Sequence, residues 1–127
     1  MIFKYNKQIG LTFSQFREAN QARLPVYKNS KGEFVHKHPQ GKDWSPAQWL
    51  QATTGELGEY ANFRKKYERG DIDYETFREQ ALLEIADTFT YLDLLALQFD
   101  IDLGEAIVKK FNMVSERINC DILIQPE

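Results

Sequence analysis

The sequence predicts an all-α domain with a four-helix-bundle-like core. Three long stretches, over 45–67, 74–99 and 102–118, repeat apolar residues at helical spacing. Helix-start signatures stand at Ser45-Pro46-Ala47-Gln48 and Asp102-Leu103-Gly104-Glu105. Two acidic pairs, Glu56/Glu59 and Glu84/Asp87, are each spaced i, i+3, which sets both carboxylates of a pair on one helix face.

Taken in order, residues 1–11 read as an extended arm with apolar Phe3, Tyr5, Ile9 and Leu11. From Thr12 the pattern turns helical through Phe13, Phe16, Ala19, Ala22 and Arg23, capped by Thr12 or Ser14 and stopped by Pro25. Residues 25–43 carry turn chemistry: Asn29-Ser30-Lys31-Gly32 between VY and FV predicts a small hairpin, and His36 and His38 lead into a loop. The second helix starts at Ser45 and ends near Gly70, with Trp49, Leu50, Thr53, Leu57, Tyr60 and Ala61 as its apolar stripe. The third follows a linker holding Asp71 and Asp73; its stripe is Ile85, Phe89, Leu92, Ala96 and Phe99. Beyond Asp87 it is apolar nearly all round, which marks a buried helix. A domain this small cannot cover such a helix alone, so a partner chain is expected. The last helix, to about Ile118, turns Leu103, Ile107, Val108, Phe111 and Val114 inward, and the tail CDILIQPE is either a short strand or a segment packed across the bundle.

Composition narrows the classes. The 127 residues form one domain, long enough to bury roughly two-thirds of the unfolded chain's surface. At 43% hydrophobic and 13% aromatic, with a charge of -3, the chain is globular and lacks the basic excess of a nucleic-acid binder. A single cysteine, Cys120, excludes an internal disulfide framework and fits a reducing compartment. The N-terminus shows no apolar signal segment, and the run LDLLALQF is too short to span a bilayer, so no membrane partner and a cytoplasmic location are expected. Neither an internal repeat nor a low-complexity tract occurs.

The acidic pairs carry the chemistry. Two like charges at i, i+3 weaken an isolated helix by a few tenths of a kcal/mol. Four carboxylates facing one another across two antiparallel helices would raise each other's pKa, and a divalent cation removes the conflict. Oxygen-only ligands suit Mg²⁺, Mn²⁺ and Ca²⁺, and the Glu-x-x-His motif of di-iron bundles is missing. Carboxylate-bound Mg²⁺ keeps several waters and commonly meets substrate phosphates, so Mg²⁺, with Mn²⁺ as a substitute, and phosphate chemistry are the expectation. The bland alternative is that these are solvated charges on helix edges.

E-x-x-E at 56–59, E-x-x-D at 84–87 and the KFNMVSERI stretch at 110–118 resemble the MazG-like family of all-α nucleoside triphosphate pyrophosphatases. The likeness covers 44–118, and FREANQAR at 16–23 is similar to the start of small members. Family members hydrolyse ribo- and deoxyribonucleoside triphosphates between the α- and β-phosphates, using Mg²⁺. The resemblance implies Glu56, Glu59, Glu84 and Asp87 as metal ligands and Tyr91 in the nucleotide pocket. It also implies Lys110 and Asn112, with Arg117 and Lys109 in reserve, on substrate phosphates. The chain departs from many relatives in having Gly55 where they carry a further Glu. On this view 1–43 forms an arm, helix and loop, 44–118 a metal-binding core, and the protein is a homodimer or homotetramer.

The mechanism so implied has Mg²⁺ offset charge on the phosphates, Glu59 act as base, and Lys109, Lys110 or Arg117 face the departing pyrophosphate. Trp44 and Trp49 are either core or base-stacking groups; Asn20 and Arg23 are candidate substrate contacts from the first helix. His36 and His38 read as solvent-facing rather than metal-binding, Lys65 and Lys66 as a solvated face or phosphate contacts, and Cys120 as structural. Two rival functions stay open: a relative acting on another pyrophosphate, such as phosphoribosyl-ATP, and a non-catalytic helical interaction module.

Overall fold

A computed structural model describes all 127 residues. It is all-helical: α1 Phe13–Arg23, a single 3-10 turn at Leu24–Val26, α2 Pro46–Glu68, α3 Tyr74–Leu97 and α4 Leu103–Arg117. No helix is long and apolar enough to cross a membrane.

Local chemistry sets the boundaries. Thr12 and Gln15 cap α1 reciprocally at 3.1 and 3.0 Å, and Ser45 and Gln48 do the same for α2 at 3.2 and 2.8 Å. Asp73 caps α3 by accepting from the Thr76 N–H at 2.8 Å. At α4 only half of the expected reciprocal cap forms: Asp102 accepts from the Glu105 N–H at 3.0 Å, and no bond returns from the Glu105 side chain. Pro25 sits in the 3-10 turn beyond α1, where its missing N–H costs nothing. The expected hairpin is reduced, and the tail, read as either a short strand or a packed segment, forms no strand. The hairpin of 25–43 shrinks to one antiparallel bridge, Lys28 to Phe34, because Asn29 Oδ1 curls the tip by accepting from the N–H groups of Lys31 and Glu33. The tail is pinned instead of paired: the Asn112 side-chain amide donates to the Ile124 carbonyl at 2.8 Å and accepts from its N–H at 2.9 Å.

The link Arg69–Asp73 folds α3 back along α2. Trp49, near the start of α2, packs with Leu94 and Leu97 at the end of α3, while Tyr60 and Tyr67 meet Phe77 at the other end. Leu24 completes the core, with Trp44, Tyr91 and Leu95 against it. The Trp49 indole N–H donates to the Gly41 carbonyl at 3.1 Å. Gly41 has φ +70°, and a Cβ there would lie 2.5 Å from the Trp49 ring, so both backbone conformation and space call for glycine. His36, expected to face solvent, is buried: it stacks on Trp49 at 5.0 Å and meets Trp44 edge-on at 4.6 Å. His38 is exposed, as expected.

A buried polar node ties α1 to α3. Asp93 is 2% exposed and accepts from Arg17 Nε at 2.9 Å and Asn20 Nδ2 at 3.1 Å. Arg17 also donates to the Ile101 carbonyl at 2.8 Å, and Phe13 and Phe16 pack on Phe89 above the node.

Only 13 residues are buried, so much of the predicted core lies open in the single chain. Leu50, Leu57 and Ala61 of α2, Ile85, Leu92 and Phe99 of the third stripe, and Ile107 and Phe111 of α4 are all exposed. The reason is geometric: one helical hairpin buries only the face between its helices, and α4 makes its helix contacts with α1 rather than covering the pair. Replacing Arg17 with Ala would leave Asp93 buried and short of its cationic partner. We expect the unfolding free energy in urea to fall by about 2–3 kcal/mol, with Arg17→Lys restoring only part. A loss below about 0.5 kcal/mol would place the pair among surface ion pairs of little weight.

Candidate metal centre

The core packing sets the phase of the acidic residues. Glu56 lies seven residues after Trp49 on α2, and Asp87 lies seven before Leu94 on α3, about two turns in each case. Because Trp49 and Leu94 pack together and the helices run antiparallel, the faces that hold Glu56 and Asp87 come together as well. The result is a cluster in which Glu56, Glu84 and Asp87 each offer a carboxylate oxygen, all within 4.8 Å of one another. Glu59 stands outside this set, exposed beside Glu84.

The cluster grades from interior to solvent: Glu84 is buried, Glu56 half-buried and Asp87 exposed. Burial pushes the Glu84 carboxyl up to about 7, with help from hydrogen bonding to Glu56 and from the charge of Glu59. Glu56 is raised too, first by burial, with a bond to Glu84 opposing and the charges of Asp87 and Glu59 adding. Glu84 Oε2 is buried and meets no donor. An acceptor in that state is unfavourable, and either a proton or a cation relieves it. With oxygen donors alone, the three residues fit a hard divalent ion.

Tyr91 connects the core to this cluster. It is half-buried, its ring 6.3 Å from Trp49, and its hydroxyl is shifted upward first by burial and then by Tyr27, Glu56 and Asp87, with Arg23 opposing. The guanidinium of Arg23 lies 5.5 Å over the Tyr27 ring. Arg23 and Tyr27 therefore stand near Tyr91, which in turn feels Glu56 and Asp87. Tyr27 carries no signal in the sequence, because it follows Pro25 in a segment without periodicity.

The remaining expected substrate residues are placed otherwise. Trp44 is packed at 4.6 Å against both Trp49 and His36, as a core tryptophan rather than an open stacking platform. Asn20 is buried, and its amide hydrogens go to the Thr90 carbonyl and Asp93. Lys109, Lys110 and Arg117 are exposed on α4, and none of them is among the charges felt by Glu56, Glu84 or Tyr91. Asn112 is occupied with the tail. Lys65 and Lys66 are exposed, and Cys120 is half-buried and unpaired. No protein family, curated protein or solved structure was found to match the chain.

The raised Glu84 carboxyl gives a signed pH dependence. The folded chain holds a proton to about pH 7 that the unfolded chain releases near 4.5. The associated stability is full below about pH 4.5, falls as pH rises, and is gone above about 7. Thermal melts of the metal-free protein should show this loss between pH 5 and about 8, and Glu84→Gln should flatten it. An unchanged slope in that variant would assign the dependence to another group.

Proposed function

We propose that the protein hydrolyses nucleoside triphosphates to the monophosphate and pyrophosphate with Mg²⁺. The observation that carries this reading is the trio Glu56, Glu84 and Asp87, drawn from two facing helices, with a buried Glu84 oxygen that lacks a donor. A Mg²⁺ held there would neutralise phosphate charge and generate the nucleophile. Glu59, exposed beside the trio and outside it, is the group free to accept a proton from an attacking water. Tyr91 of α3 stands beside Glu56 and Asp87, Arg23 of α1 lies near Tyr91, and the two would orient the polyphosphate. The resemblance to MazG-like pyrophosphatases supports the same reaction, with nucleotide-pool housekeeping as the role; Mn²⁺ would substitute at an all-oxygen site, and the cytoplasm is the proposed place.

The four-helix core and the oligomer belong to this proposal. Leu50, Leu57, Ile85, Leu92 and Phe99 leave α2 and α3 with uncovered apolar surface, which pairing of two α2–α3 hairpins in a dimer or tetramer would bury. Lys109, Lys110 and Arg117 would then act on phosphates from another copy or from a displaced α4. The same exposed surface favours the rival reading of a non-catalytic interaction module.

Pyrophosphate release from the eight common ribo- and deoxyribonucleoside triphosphates, with and without Mg²⁺, separates these readings. Metal-dependent release is expected, together with a Mg²⁺-induced rise in melting temperature. Asp87→Asn and Glu84→Gln should each lower turnover by about 100-fold or more and abolish the Mg²⁺ shift. Without metal both variants should melt no lower than the parent, since each relieves like-charge crowding. Full activity in either variant would falsify the site; no release and no Mg²⁺ shift would leave the interaction module.

A further inference from the structure

The tail that follows α4 has one edge used and one edge open. The Cys120 N–H closes the α4 cap by donating to the Ser115 carbonyl at 2.8 Å, and four residues on the Asn112 side chain binds both backbone groups of Ile124. One side-chain amide reaches the N–H and the C=O of a single residue only where both point the same way, as in an extended segment. Successive residues of such a segment turn to alternate edges, so Asp121, Leu123 and Gln125 direct their backbone groups away from α4. None of these groups meets a partner within the chain. With Ile122, Leu123 and Ile124 exposed as well, the tail is a template for a further strand.

The N-terminal arm has the complementary features. Ile2, Phe3 and Tyr5 are exposed and belong to residue types that favour strands. Their backbone groups are unpaired up to the turn at Asn6–Gly10, where Asn6 Oδ1 accepts from the N–H groups of Gln8 and Ile9. The charges are opposed: the arm carries Lys4 and Lys7 and no acid, and the tail carries Asp121 and Glu127 and no base. Within one chain the two stay apart, with Phe3 beside Phe16 and Ala19 of α1 and the tail held on α4.

We propose that the arm of one copy adds to the tail of a second copy as an antiparallel strand, with Lys4 opposite Asp121. That register sets Ile2 opposite Leu123 and Phe3 opposite Ile122, so charge meets charge and apolar meets apolar along the pair. It also gives the open groups of Asp121 and Leu123 their hydrogen-bonding partners. Exchange in both directions relates the two copies by a two-fold axis. This contact is separate from the exposed stripes of α2 and α3 and independent of the nucleotide-hydrolysis reading.

The register places Tyr5 opposite Cys120, the chain's one cysteine, as a close non-hydrogen-bonded pair within the reach of a disulfide. The test is therefore Tyr5→Cys in the full-length chain, oxidised with glutathione disulfide as a mixture of isotope-labelled and unlabelled protein. Non-reducing electrophoresis and peptide mapping should show position 5 joined to Cys120 of another copy. The bond should form about tenfold or more faster than in Lys31→Cys, which puts the thiol on an exposed loop outside both segments. Adding Asp121→Lys should slow the cross-link by about two- to fivefold, and Lys4→Glu in the same chain should restore it. Cross-linking no faster than in the Lys31→Cys control, or indifference to the charge reversals, would overturn the pairing. A bond from position 5 to Cys120 of the same copy would overturn the exchange and assign the tail to its own arm.

Discussion

The packing of Trp49 against Leu94 and Leu97 is the interaction on which the rest depends. It is the point where the beginning of α2 meets the end of α3, with a fully buried indole whose one donor is met by the Gly41 carbonyl. Every residue of either helix is then fixed in height and rotation by its distance from that contact. Two turns away on each side, Glu56 and Asp87 have no freedom to avoid one another. The carboxylates are thus crowded by apolar packing elsewhere, and the hydrophobic term bears the electrostatic cost. This is how a site can hold charges that would part if they were on flexible segments. It also explains why Glu84, the innermost of the trio, is the group that keeps a proton.

The second constraint is Asp93. A carboxylate that is 2% exposed demands partners, and Arg17 and Asn20 of α1 supply them. This decides where α1 lies, and through it where Arg23 and Tyr27 stand relative to the carboxylates. Hydrophobic contact of Phe13 and Phe16 with Phe89 would allow α1 to slide along α3; directional bonds to one buried acid do not. The node therefore links the first helix to the proposed site although none of its members touches the metal ligands.

Charge and apolar surface are distributed unequally over the chain. The α2–α3 pair buries its inner face and leaves Leu57, Ile85 and Leu92 outside, while α4 turns to α1 and its own tail. The cations of α4 do not act on Glu56, Glu84 or Tyr91 within one chain, whereas Arg23 of α1 acts on Tyr91.

Local sequence determined what depends on local physics. The helices, their starts at Thr12, Ser45, Asp73 and Asp102, and the pairing of Glu56 with Glu59 and Glu84 with Asp87 on single helix faces all follow from capping chemistry and a period of 3.6 residues. These features need no knowledge of neighbours. Which stripe residues are covered, whether His36 is wet or buried, and which three of four carboxylates converge were decided by tertiary packing, since each depends on groups far along the chain. Tyr27 and the Arg17–Asp93–Asn20 node had no periodic signature, because their partners lie roughly 65–75 residues away. The same holds for the extent of the hairpin and for the choice between the two readings of the tail. Turn residues and β-branched runs are permissive for pairing, and pairing needs a second edge, which this arrangement of helices does not offer.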